Sequence, residues 1–416
     1  MKKVTWRKSL ALAMSTAMIL GLAGCGSEEA ENTASAGSES AGDSSETETE
    51  TETETETETE GEFKGTIKFG LVAPITGTHA EYGQGFDAAT QIAADEINAA
   101  GGINGYRVEI EVQDSAADAK TSSDIFTRFA EDDEIIAVIG DFTSSCCMAD
   151  APIADEYGLV LISPTASDPS YTAMSDYCFS VMYNQRDAAP WYASAMYGHY
   201  LGTKDYVCMY LNTDWGNSTY GYVSEALEAQ GIECLASEAY AENETDFSSV
   251  ISKLSAAGSD TIIILDQGNL PTIINQIKNS GWDPILTSIG PGASDQILDQ
   301  CGDNANGLIL ATPSYITADN AETADFCEKF YAINGCAPTD HAVCAYNCVY
   351  MLKAAIENIG DGELTRETLR DALATATYDG MTGHIEFNSE GGVSREQLIM
   401  GVEDSKWVIE ENYGYE

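Results

Sequence analysis

Two hydrophobic rhythms alternate along the chain from residue 66 onward. Short apolar or alternating runs predict strands over 66–73, 107–113, 135–139 and 159–162. Between them, apolar positions recur every three or four residues. Phe86, Ala89, Ala93 and Ile97 share one face of a helix over 82–99, and a second helix is predicted over 119–130. The first helix stops at Gly101-Gly102-Ile103-Asn104-Gly105, where glycine can take the left-handed conformation that ends a helix and starts a turn. After Tyr183 the order restarts with a helix over 188–201, a strand over 206–211, the loop 212–216 and a further helix. Strands at 233–240, 261–265 and 285–289 follow, separated by a helix opening at Thr245-Asp246-Phe247 and another ending at Ser280. Helices near 324–333, 343–359 and 366–374 and two late strands complete the chain. Strand alternating with helix predicts an α/β fold. The second half repeats the first in style, which predicts two facing lobes with a cleft between them.

Residues 140–169 carry the most specific signal. The strand at 135–139 stops at Gly140 and hands over to Thr143-Ser144-Ser145. The strand at 159–162 stops at Ser163-Pro164 and hands over to Thr165-Ala166-Ser167-Asp168-Pro169. If the two strands are parallel, a right-handed crossover brings both loops to the same sheet edge, where ligands of open α/β sheets bind. That edge offers hydroxyls and the free N–H groups of two helix starts, a match for a carboxylate or another small anion. The plain alternative is that Ser144 and Ser167 only cap helices.

Ahead of this region, Lys2, Lys3, Arg7 and Lys8 precede an apolar run over 10–23, the layout of a secretory signal. The run closes on Leu22-Ala23-Gly24-Cys25, which resembles the lipobox of bacterial lipoproteins and makes Cys25 the lipidated anchor of residues 1–25. Residues 26–62 hold no aromatic residue after Cys25 until Phe63 and end in Glu-Thr repeats, so they are expected to form a disordered, extended tether. Of 68 acidic and 19 basic residues, 14 and 4 lie in the first 62, leaving a net charge of −39 on the remainder. Such a charge excludes nucleic acid and direct adhesion to anionic lipid, so the membrane is reached only through the lipid anchor. Ten cysteines follow Cys25 without Cys-x-x-Cys spacing, which favours free or structural thiols over a metal or redox site and leaves one or two disulfides as the alternative.

Six segments in order, IKFGLVAPITG, AEYG, DEINAAGGINGYRVEI, the SS…ISPTASDP loops, DFSSVISKL and GHIEFNSEGG, resemble the extracytoplasmic branched-chain amino-acid binding proteins of ABC importers across residues 63–416. The resemblance implies two doubly wound parallel-sheet lobes joined by a three-crossover hinge, lobe 1 from 63–182 and 313–397, lobe 2 from 183–312 and 398–416. It implies a monomer that binds a small molecule, an amino acid first of all, docks on ABC permease subunits, and uses no cofactor, no metal and no chemistry. Carried over position by position, Ser144 and Ser145 meet the ligand's carboxylate with Ser167. The Thr165 carbonyl accepts from the ammonium group, Tyr82 and Trp215 cover the ligand from either lobe, and His341 lines the pocket. Asp266, with Gln267, stands where the family places a polar or aromatic contact. The family's acid for the ammonium belongs near 288–292, where this chain reads Ser-Ile-Gly-Pro-Gly. Asp266 or Asp214 is the substitute, since a desolvated ammonium needs a counter-charge. The disulfide of some relatives is also missing, with Ala117 and Thr143 at its positions. Tyr82, Trp215 and His341 favour a polar or aromatic ligand side chain. Plainer roles exist for each: rim aromatics for Tyr82 and Trp215, a bonded helix residue for His341, a helix cap for Asp266. Three other functions remain open: a sensing or receptor-engaging lipoprotein with the same clamp, a binder of amides or short peptides, and an enzyme with Cys146 or Cys147 as nucleophile and His341 across the cleft.

Overall fold

A computed structural model describes residues 63–413. The signal segment, Cys25 and the tether lie outside the described residues. Strands β1 (Thr66–Ala73), β2 (Arg107–Asp114), β3 (Ile135–Gly140), β4 (Val160–Ser163) and β5 (Cys178–Ser180) form one sheet in the order β2-β1-β3-β4-β5. All its pairs are parallel, and β3 and β4 run side by side with Ala137 opposite Val160, as the crossover argument expects. Helices α1 (Ala80–Ala99), α2 (Ala119–Glu131), α3 (Ser144–Tyr157) and the short α4 (Pro169–Thr172) connect these strands.

After α5 (Gln185–Trp191) and a π-helical segment, Tyr192–Tyr200, a second sheet begins. Its parallel strands are β6 (Asp205–Leu211), β7 (Glu233–Tyr240), β8 (Thr261–Leu265), β9 (Ile285–Ile289) and β10 (Ile309–Thr312), linked by α6 (Asp214–Ala229), α7 (Ser248–Ala257), α8 (Leu270–Ser280) and α9 (Asp295–Cys301). Helices α10 (Ala324–Asn334), α11 (Asp340–Ile359) and α12 (Arg366–Leu373) then return to the first sheet, α11 lying along α1 and α12 along α11. The hairpin β11 (Thr377–Gly380) and β12 (Gly383–Glu386) follows. The chain crosses back a last time into β13 (Gln397–Glu403) and β14 (Lys406–Tyr413), which add antiparallel to β10 and give the order β14-β13-β10-β9-β8-β6-β7. Three crossings therefore join the two sheets. The first and third are tied together by a parallel bridge between Tyr183 and Val393 and by Arg395, whose Nε donates to the Val181 carbonyl at 3.0 Å.

Strands β4 and β8 are buried along their whole length, as strands of a parallel sheet covered by helices on both faces must be. This explains why they read as continuous apolar runs. The three-residue β5 and the four-residue β10 are not among the strands predicted from the sequence. The late region holds four strands instead of two, because each arm of the β11–β12 hairpin is four residues long with little buried. Helix α11 starts three residues earlier than its apolar period suggests. Thr339 caps it, accepting from the Ala342 N–H at 3.3 Å, and this draws Asp340 and His341 into the first turn. The ten cysteines of the described residues are all free and eight are buried.

Candidate functional site

Both sheets present the carboxyl ends of their parallel strands to one another. In the first sheet the order reverses between β1 and β3, and in the second between β6 and β8. Such reversals open a crevice, because the loops on either side leave in opposite directions. The loops after β4, β6, β8, β9 and β10 converge there on a narrow cavity. Thr165 and Ser167 line it from the first sheet, and Met182, Tyr183 and Gln185 from the first crossing. Trp215, Gln267, Gly290, Pro291 and Thr312 line it from the second sheet, and Asp340 and His341 from the start of α11.

The cavity is closed by hydrogen bonds that span the two sheets. The Trp215 indole N–H donates to Ser167 Oγ at 3.0 Å, and Gln185 Nε2 reaches the same oxygen at 3.3 Å. Ser218 Oγ donates to Asp168 Oδ2 at 2.7 Å, and Ser145 Oγ to Asp214 Oδ2 at 3.2 Å. At the outer rim His79 Nε2 lies 3.1 Å from Glu242 Oε1, and Ser294 bonds Glu81, whose carboxyl is pushed up by burial. Gly290 has φ +123° and a Cβ there would stand 2.7 Å from the Trp215 ring, so glycine is what lets the indole lie flat against this loop.

Of the eight residues singled out from sequence, Thr165, Ser167, Trp215 and His341 line the cavity. Thr165 Oγ1 donates to the Phe142 carbonyl at 2.7 Å and so binds the two loops to each other. Ser144 is buried beside them as the first residue of α3, and its Oγ accepts from the Asp168 N–H at 3.3 Å. Ser145, next to it, faces Asp214. Tyr82 is buried one layer behind, stacked on Phe142 with ring centroids 4.3 Å apart and edge-on to His341 at 5.2 Å. Asp266 is fully buried and occupied: it accepts from Tyr240 Oη at 2.6 Å, from Gly268 N–H at 2.7 Å and from Asn269 N–H. Burial raises its pKa and the Tyr240 bond opposes that shift. Its geometry is that of a cap holding the turn that carries Gln267.

The residue that the sequence reading passed over is Asp340. Its only signal was Thr339-Asp340 ahead of an apolar period, a cap followed by an acid in the first turn, where an acid is favoured by the helix dipole. Cys146 and Cys147 are fully buried and burial drives both thiols well above the ordinary range, so neither supplies a thiolate. Among the described residues no group of three or more His, Cys, Asp or Glu is arranged for a metal, and no helix is long and apolar enough to cross a membrane.

The comparisons agree with this architecture. The chain is 25% identical over 328 residues to the leucine-, isoleucine-, valine-, threonine- and alanine-binding protein of Pseudomonas aeruginosa, covering 78% of this chain and 87% of that one. Among solved structures, a substrate-binding protein of an ABC transporter from Desulfitobacterium hafniense in complex with Leu superposes with a TM-score of 0.68 at 25% identity, over 83% of this chain and 99% of that one. A solute-binding protein of Rhodopseudomonas palustris in complex with benzoate shares the fold at a TM-score of 0.76 and 19% identity, over 84% and 96%. These are binding proteins and not enzymes, and with residues 66–403 matching the periplasmic binding protein family, the chain belongs to that family.

Proposed function

We propose that this protein is the extracytoplasmic, lipid-anchored binding component of an ABC importer, and that it takes an amino acid or related small carboxylate between its lobes by hinge closure. The observation that carries the reading is the cavity where the two sheet edges meet, lined from both sides and crossed by the Trp215–Ser167 bond. The relatives named for Leu, Ile, Val, Thr and Ala and the neighbours holding Leu and benzoate have ligands that share a carboxylate. The hydroxyl edge of Ser144, Ser145, Thr165 and Ser167 is the natural place for it, with Thr165 and Ser167 facing the ligand and Ser144 fixing their loop. Trp215 and His341 cover the ligand, Tyr82 backs His341, and Asp266 holds the loop of Gln267 in place. Residues 63–182 and 313–397 act as one rigid lobe, and 183–312 with the remainder as the other. Contacts from both give the closed form its higher affinity, and only a difference of that kind allows a ligand to drive closure. Cys25 and the acidic tether hold the clamp at the outer face of the membrane beside its permease.

The test is a thermal-shift screen of ligand-free protein against amino acids, amides, small carboxylates and short peptides. A ligand at about 100 times its dissociation constant stabilises the protein by roughly 2.7 kcal/mol. A shift confined to amides or peptides changes the ligand class, and no shift with any carboxylate overturns the proposal.

A further inference from the structure

We infer that Asp340, at the first turn of α11, is the counter-charge for a ligand ammonium group, so that the cavity takes an α-amino acid and not a carboxylic acid without an amine. This rests on the reading of the cavity as a site for a small carboxylate. Asp340 is 3% exposed and lines the cavity. Its Oδ2 accepts from Thr312 Oγ1 at 3.1 Å, while Oδ1 has no hydrogen-bond donor. Oδ1 and His341 Nδ1 are 3.0 Å apart, yet neither makes an aligned hydrogen bond, so the imidazole does not satisfy the oxygen. No lysine or arginine lines the cavity. A carboxylate oxygen buried without a donor is costly, and a cation brought by the ligand removes that cost.

The two acids proposed from sequence are committed elsewhere. Asp266 is filled by Tyr240 and two backbone N–H groups, and Asp214 faces Ser145, outside the cavity lining. The loop after β9 leaves room for Asp340 instead. A Cβ on Gly292 would fall 2.0 Å from Asp340 Oδ1, so any other residue there would displace the carboxylate. There is a mechanistic consequence. Helix α11 packs along α1 on the same lobe that carries Thr165 and Ser167, so both charged ends of the ligand are gripped by one lobe before the other closes.

The experiment is isothermal titration of the protein and of Asp340→Asn with the twenty L-amino acids, with the 2-hydroxy acid analogue of each amino acid that binds, and with benzoate. The expected result is that wild type binds at least one amino acid and binds its hydroxy acid on the order of 100-fold more weakly. Asp340→Asn should lose the amino acid by a similar factor, since truncating a buried charge pair is costly, and keep or improve on the hydroxy acid. Equal or tighter binding of the hydroxy acid or benzoate by wild type overturns the ammonium assignment and leaves the small-carboxylate reading standing. Undiminished amino-acid affinity in a folded Asp340→Asn overturns the role of Asp340. If none of the probes binds wild type, both readings fall. Should Asp340→Asn not fold, the wild-type comparison still decides the ammonium, and Asp340→Ser, which keeps a polar first-turn residue, decides the position.

Discussion

Replacing Ser167 by alanine tests the clamp at its most buried joint. Trp215 is 1% exposed and its indole is a donor with no acceptor capacity, so its N–H must find an oxygen or be stranded. In the closed arrangement that oxygen is Ser167 Oγ at 3.0 Å. Opening the cleft gives the same N–H to water at little cost. The substitution therefore penalises the closed form alone, by about 1–3 kcal/mol for one buried unsatisfied donor. The Gln185 Nε2 contact to the same oxygen is longer, at 3.3 Å, and so the weaker of the two bonds lost. Since ligand affinity scales with the population of the closed form, the dissociation constant should rise by about 5- to 150-fold. The melting temperature without ligand should stay within a few degrees. Titration calorimetry with the best ligand from the screen measures the first quantity and differential scanning calorimetry the second. A Ser167→Ala, Trp215→Phe double variant separates this bond from any direct contact of Ser167 with ligand. If the bond is what matters, the double variant should lose less than the sum of the single losses, because no stranded donor remains. Additive losses, or an unchanged affinity for Ser167→Ala, would refute the argument.

The Ser145 to Asp214 bond also spans the cleft, but both groups are solvent-accessible, so Ser145→Ala should weaken ligand binding by no more than about 1 kcal/mol, which calorimetry resolves. Asp266→Ala strands Tyr240 Oη and two backbone donors and should lower the stability of the ligand-free protein by about 2–4 kcal/mol in urea unfolding; a variant that loses affinity without losing stability would make Asp266 a ligand contact instead. Asp141 and Asp150 are buried and share the Ser122 hydroxyl, and burial raises their carboxyls to about 6 and about 8. Since the unfolded carboxyl titrates near 3.9, the folded state holds more protons in between, and stability falls as pH rises from about 4 to about 8. The melting temperature should be higher at pH 5.5 than at pH 8, and Asp150→Asn should flatten most of that slope; a profile that rises toward pH 8 would contradict the burial argument.

What the sequence by itself determined is what local physics encodes. Fully buried parallel strands such as β4 and β8 must be apolar throughout, helices such as α1 must repeat their apolar face every three or four residues, and a strand that ends in a small hydroxylated loop marks a sheet edge. From those signals the α/β class, the parallel pairing of β3 with β4, and the positions of Thr165 and Ser167 at the cleft all followed, with Trp215 and His341 supplied by the family resemblance. What only the tertiary structure decided is which polar atoms are left over once neighbours have been served. Asp266 and Asp340 are both acids at the start of a helix or its turn, and the sequence pattern alone does not separate them. Tyr240, at the end of β7 two strands away, helps fill the first, whereas Thr312, from the end of β10, takes one oxygen of the second and leaves the other without a donor. Asp266 is completed by the N–H groups of Gly268 and Asn269 as well, whereas the second oxygen of Asp340 finds no donor near or far, and which of the two happens depends on the packing around each acid.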